Sequence, residues 1–379
     1  MLSRRHWMRT LSAALAGFPT WAQSTLRFPG KRPMLVHNDF PEDLETPVEY
    51  FDSWLTPIDK FFVRQHLPRP KADPAAYRLK VHGLVHTPLS LSLDDLRKMP
   101  QFKVPATLEC AGNGRGNFKP KIPGLQWTKG AIGNAEWRGV RTADLLKRAG
   151  VKPDAKFGTA NGMDAGVAKT PDFIRSVPLR KLMHESTLIA LEMNGQPLPE
   201  LHGFPARLIV PGWDGASWVK WVNDLELSPQ ADKGFYFATA YKYPNFSVGP
   251  GGAAKPEEME VLEGMAVVSF FSKPLDQAKV KIGSVPLFGV AFGGENRISR
   301  VDISTDGGAT WAAARLGAEN FQFAWRTFSY DWKPAKKGHY TLCARATDTS
   351  GRVQPIEAEW NPSGYLWNAI DRISVTVEA

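Results

Sequence analysis

Cysteine is almost missing from this chain: 379 residues contain only Cys110 and Cys343. Two thiols cannot staple a disulfide scaffold, and no Cys-x-x-Cys-His run exists to attach a c-type haem. Electrons handled here therefore leave for another protein. Long apolar runs are missing too; no later segment reaches eighteen consecutive apolar residues, which excludes a membrane-spanning helix of the usual kind. Lys and Arg outnumber Asp and Glu by 47 to 38, giving a formal charge of +9, but the cations are scattered. A chain that binds nucleic acid by charge concentrates them on one element, so no nucleic-acid partner is expected. Long helices are not expected either, because 33 Gly and 30 Pro predict many turns. What is present, 43% hydrophobic and 22% charged residues, is the composition of a compact protein. Its length exceeds what one core usually absorbs, which predicts two folded units.

The chain starts with Ser3-Arg4-Arg5 and then a mostly apolar stretch over residues 11–22, interrupted by Gly17 and Pro19. That stretch is too short to span a bilayer and reads as a signal peptide over residues 1–22, cut near Ala22. The adjacent arginines mark the twin-arginine route, a receptor-read address that predicts a periplasmic location. Losing Arg4, Arg5 and Arg9 with the leader lowers the formal charge from +9 to +6, which suits an anionic substrate or an acidic docking partner.

Residues 23–53 are polar and carry Pro29, Pro33, Pro41 and Pro47, so an extended surface arm is expected. From Tyr77 the text alternates as short strands and helices. LSLSLDDLRKM reads as strand then helix, with Ser92 among its cap candidates, and a second helix closes before Gly150. TLIALEM and ARLIVPG are apolar runs separated by an Asn194-Gly195 turn. After about Glu260 the character changes to regularly spaced alternating runs with Gly, Asp and Ser between them, the pattern of a β-sandwich. Gly249, Gly251, Gly252 and Pro256 mark the linker. The expected class is α+β: a mixed domain over residues 23–250, then a sandwich over 251–379.

Candidate chemistry begins at Cys110 in PATLECAGNGRGNF, where a Cys ends an apolar run and the glycines after it allow a bulky group to approach. Arg115 nearby favours a thiolate and could hold an anion. A soft-metal ligand, a covalent nucleophile and a buried structural Cys all fit that pattern. Arg64 and His66 in FFVRQH stand two apart, so an extended chain points both one way, as a grip on an anion requires. His202, Arg207 and Lys220 surround one core segment and could hold a phosphate; Lys220 between two Trp could equally lie over a ring. Cys343 sits in an alternating strand and reads as core.

Taken together, TLECAGNGRG, GLQWTKGAI, LEMNGQPLPELHGFPARLIVPG and SWVKWV resemble the molybdopterin-binding domain of sulfite oxidases. STDGGATW and QPIEAEWNPSGYLWNA resemble that family's immunoglobulin-like dimerisation domain, and the resemblance spans roughly residues 45–377. It implies a molybdenum-molybdopterin cofactor with a single pterin, Cys110 as the one protein ligand of the metal, and His66, His202, Arg207 and Lys220 on the cofactor. It implies Arg64, Arg115 and Trp127 in the substrate pocket, with Tyr241 as the pocket tyrosine by its distance from Trp221, although Tyr236 and Tyr243 lie close by. The implied activity is sulfite oxidation without haem, electrons passing to an external c-type cytochrome from a homodimer. The molybdenum subunit of a thiosulfate-oxidising complex, acting on protein-bound sulfane sulfur, would share these features. A periplasmic binding protein without enzymatic activity is the alternative of another class.

Overall fold

The computed structural model describes residues 28–379, so the leader lies outside the described residues. Two five-stranded sheets build the first unit. In one, Phe102–Glu109, Ile132–Arg141 and Leu188–Met193 run antiparallel side by side. In the other, Leu89–Ser92, Arg78–Gly83, Val222–Ser228, Phe157–Gly162 and Arg175–Pro178 follow in that order, and the only parallel pair is Arg78–Gly83 with Val222–Ser228. Their apolar faces form one core around Trp137, Trp218, Leu208 and Leu225. Burying each such side chain stabilises the unit by about 1.5–3 kcal/mol.

Local chemistry sets the element ends. Ser92 caps the helix Leu93–Lys98 reciprocally: its hydroxyl accepts from Asp95 N (3.1 Å), and its own N–H donates to the Asp95 carboxylate (2.9 Å). The helix Thr142–Ala149 stops at Gly150, which takes the left-handed conformation. Asn194 and Gly195 both have positive φ, as a tight hairpin needs, and turn Leu188–Met193 into the two-residue strand Gln196–Pro197. The strand Arg207–Ile209 then resumes the same edge. The edge is thus split in two, and the interruption carries His202.

The N-terminal arm departs from the expected surface wrap. Leu35–Asp39 pairs with Glu42–Glu45, and all four residues of the latter are buried. The reason is polar: Asp43 and Glu45 have donors waiting inside the protein. The Gly-rich linker is likewise closed off, because Lys242–Pro244 pairs with Met259–Val261 across it.

The second unit is a sandwich of a four-stranded and a five-stranded sheet. Leu287, Ala291 and Phe328 of one sheet meet Val301, Leu342 and Val375 of the other, and Cys343 lies wholly buried in the strand Gly338–Asp348. A separate cluster joins the units: Phe51 and Ile132 from the first pack on Phe270, Phe292 and Trp325 from the second. Trp325 is sealed there, its Nε1 donating to Trp54 O at 2.6 Å. Among the described residues no helix is long and apolar enough to cross a membrane.

Candidate active site

Cys110 comes directly after the strand Phe102–Glu109, and its N–H donates to Ala131 O at 2.9 Å. The chain then turns sharply, Asn113 N returning to Cys110 O at 2.8 Å and Gly114 adopting φ +81. Gly114 also has no room for a side chain, since a Cβ would lie 2.7 Å from the Trp367 ring. Cys110 is 8% exposed as a residue; burial pushes its thiol pKa up, while Arg64 and, more weakly, Arg115 pull it back.

Two cavities meet at this cysteine. Arg64, His66, Cys110, His202, Arg207, Lys220 and Tyr241 line the first. Arg115 and Trp127 line the second, whose wall also includes Arg64, His66, Cys110 and Tyr241. Cys110 and the other eight site candidates of the sequence therefore line two cavities that share this cysteine. Tyr236 lines the second cavity as well, whereas Tyr243 faces a different groove beside Trp360.

The first cavity is cationic. Arg64, Arg207 and Lys220 face it against one carboxylate, Asp164. Arg207 spends two nitrogens on His202 O (3.2 Å) and Trp218 O (3.1 Å), and its Nε has no partner. Burial pushes it down to about 9, which leaves it charged at neutral pH. Lys220 donates to Arg64 O at 3.1 Å and lies 4.4 Å from the Trp221 ring centre, so the reading of a cation over a ring holds. Burial lowers its pKa, and Arg207 adds to that. Gln65, unmarked in the sequence, has both amide atoms buried without partners in this wall.

The second cavity is held by clamps. Arg64 pairs with Asp43 at 3.1 Å. The Tyr241 hydroxyl and His66 Nε2 share a 2.5 Å hydrogen bond. Burial holds the phenol well above its ordinary pKa and the imidazole well below, so both are neutral. Arg115 does not hang free: its guanidinium donates to Gly364 O (3.2 Å), Ser363 O (3.3 Å) and Leu125 O (3.4 Å) and lies over the Tyr365 ring. Tyr365 in turn stacks on Tyr241 with ring centres 5.6 Å apart, and Arg175 covers Tyr241 at 5.1 Å.

Residues 66–236 match the family model of the oxidoreductase molybdopterin binding domain, and residues 259–378 that of the Mo-co oxidoreductase dimerisation domain. Mitochondrial sulfite oxidase of Mus musculus is 35% identical over 393 residues, covering 97% of this chain and 69% of the relative. The chain belongs to the sulfite oxidase family. Sulfite oxidase of Arabidopsis thaliana is 31% identical over 377 residues, with 91% and 94% covered. Among solved structures, the sulfane dehydrogenase SoxCD of Paracoccus pantotrophus superposes with a TM-score of 0.79 at 30% identity, covering 97% of this chain and 95% of that one.

A member of the sulfite oxidase family has a molybdenum-molybdopterin cofactor. The residues present suit it: a soft thiol stands between an anion-ready cavity with orphaned donors and a second pocket with two arginines. Sequence reading missed Gln65, Asp43, Glu45, Tyr365 and Lys31. Glu45 is wholly buried and accepts from Thr128 N (2.9 Å), Lys129 N (3.0 Å), Gly130 N (2.9 Å) and His37 Nε2 (2.6 Å), fixing the strap that carries Trp127.

Proposed function

We propose that this chain oxidises sulfite to sulfate and passes the electrons to a separate c-type cytochrome. The observation that carries the reading is Cys110 placed on the shared wall of both cavities. Bound with the Cys110 thiolate as its protein ligand, the cofactor supplies two-electron oxygen-atom-transfer chemistry. His202, Arg207 and Lys220 would hold its anionic end, and His66 its near edge. On the other side Arg64 and Arg115 would grip sulfite oxygens, Trp127 would exclude water, and the protonated Tyr241 hydroxyl would donate to the bound anion. Arg115, fixed by three carbonyls, would offer its charge without needing to reorganise.

The reading includes export by the twin-arginine leader to the periplasm, an immunoglobulin-like identity for the sandwich, and a homodimer through that domain. Its test is steady-state reduction of cytochrome c by the molybdenum-loaded protein with free sulfite. Turnover at micromolar sulfite supports it. The SoxCD likeness favours a second reading, oxidation of sulfane sulfur bound to a carrier protein. Bound molybdenum with little activity on free sulfite would select that one, and purified protein without molybdenum would sink both in favour of a binding protein.

A further inference from the structure

Lys31 lies in the N-terminal arm, outside the residues matched by either family model, and is 4% exposed. A buried lysine costs stability unless its protons are all placed. Its ammonium has three, and two carbonyl acceptors and one ring nitrogen surround it: Ile58 O at 2.6 Å, Phe61 O at 2.7 Å and His202 Nε2 at 2.7 Å. Lys31 lines neither cavity, whereas His202, 171 residues away in the chain, forms part of the first.

We propose that Lys31 is a positioning residue for the cofactor's anionic end: it occupies His202 Nε2, confines the imidazole proton to Nδ1, and so fixes the ring as a neutral donor of one orientation. This inference rests on the family reading of the cofactor. Burial, with Lys31, Arg207 and Lys220 all facing it, holds His202 well below its ordinary pKa, in keeping with a neutral ring. Burial also pushes Lys31 down to about 7, with Asp59 opposing. An anion bound beside His202 favours the ammonium form, and with it the donor role of Lys31. The arm holding Lys31 is itself packed down by Phe28 and Met34 against Leu44, Val63 and Leu201, so cofactor grip and arm docking are one event.

The test is a double-mutant cycle of Lys31→Met and His202→Asn on the full chain made in a cofactor-competent host, reading molybdenum retained per chain after dialysis and the thermal midpoint. Lys31→Met is expected to lose molybdenum at least about tenfold faster, the loss of one charge-assisted hydrogen bond. In the His202→Asn background the same change should add little, and Lys31→Gln, which keeps a donor, should restore part of the retention. Selective ¹⁵N-histidine spectra, with His202 assigned by its loss in His202→Asn, should show the Nδ1–H tautomer in the parent and a changed pattern in Lys31→Met. Equal molybdenum retention in the parent and Lys31→Met, additive effects in the cycle, or an Nε2–H tautomer in the loaded parent overturns the proposal. A parent that never holds molybdenum instead overturns the family reading, and the tautomer measurement still decides what Lys31 does to the ring.

Discussion

Replacing Glu45 by Ala should unfasten the strap that presents Trp127. The carboxylate is wholly buried and accepts from three consecutive amides, the Thr128 hydroxyl and His37 Nε2. Removing it orphans those donors together, and loss of one partner from such a buried charged network costs about 3–5 kcal/mol. Urea unfolding of the parent and the variant reads that loss; a change below about 1 kcal/mol would refute the clamp. The pH dependence supplies a second check. Burial alone would raise the Glu45 carboxyl, but His37 and then Thr128 and Gly130 outweigh it and hold it below the usual carboxylate range. A depressed folded pKa contributes stability above the unfolded value, about 4.3, and that contribution is lost as pH falls through the folded one. Glu45→Gln cannot ionise, so its stability should fall less steeply below about pH 4 than that of the parent. An identical acid slope would show that Glu45 carries no such charge. The Trp127 ring packs edge-on against His37 at 4.6 Å, so the Ala variant should also raise the Michaelis constant for sulfite.

Further outcomes are expected elsewhere. Cys110→Ser should lose nearly all sulfite turnover and most of its molybdenum, because an alcohol is a poor ligand for a soft metal; near-full turnover would remove Cys110 from the metal. Arg64→Gln should raise the Michaelis constant for sulfite about 10- to 100-fold, the equivalent of one charge-assisted hydrogen bond, and an unchanged constant would place its charge off the substrate. Gly139→Ala sets a Cβ 2.0 Å from Ile189 O within the sheet, so it should destabilise by about 1–3 kcal/mol in the same urea assay. Trp325→Ala should cost about 3–5 kcal/mol and loosen the junction of the two units; an unfolding midpoint equal to the parent's would count against that packing.

What could be read in advance was local. The Cys-Ala-Gly-Asn-Gly-Arg-Gly run, the Arg64 and His66 pair, the Ser92 cap and the Asn194-Gly195 turn each declare themselves within a few residues. The rest depends on partners far away in the chain. Lys31 acquires its meaning from His202, and Arg115 from carbonyls 248 and 249 residues downstream. No periodicity in the arm announces that Glu42–Glu45 turns inward, because the donors that draw it in belong to residues 64–65 and 128–130. Tyr241 could be chosen among three tyrosines only by spacing; its hydroxyl on His66 and its ring on Tyr365 distinguish it in space.

The grip of Ser363 and Gly364 on Arg115 has a consequence for how such proteins can be cut and rejoined. The second domain does more than bring subunits together: its loop is the socket into which an arginine of the first is plugged. A gene shortened at the linker would keep every motif of the first domain and leave Arg115 held by Leu125 O alone of its three carbonyls. A chimaera of two members would keep this contact only where the loop and the arginine fit one another as they do here.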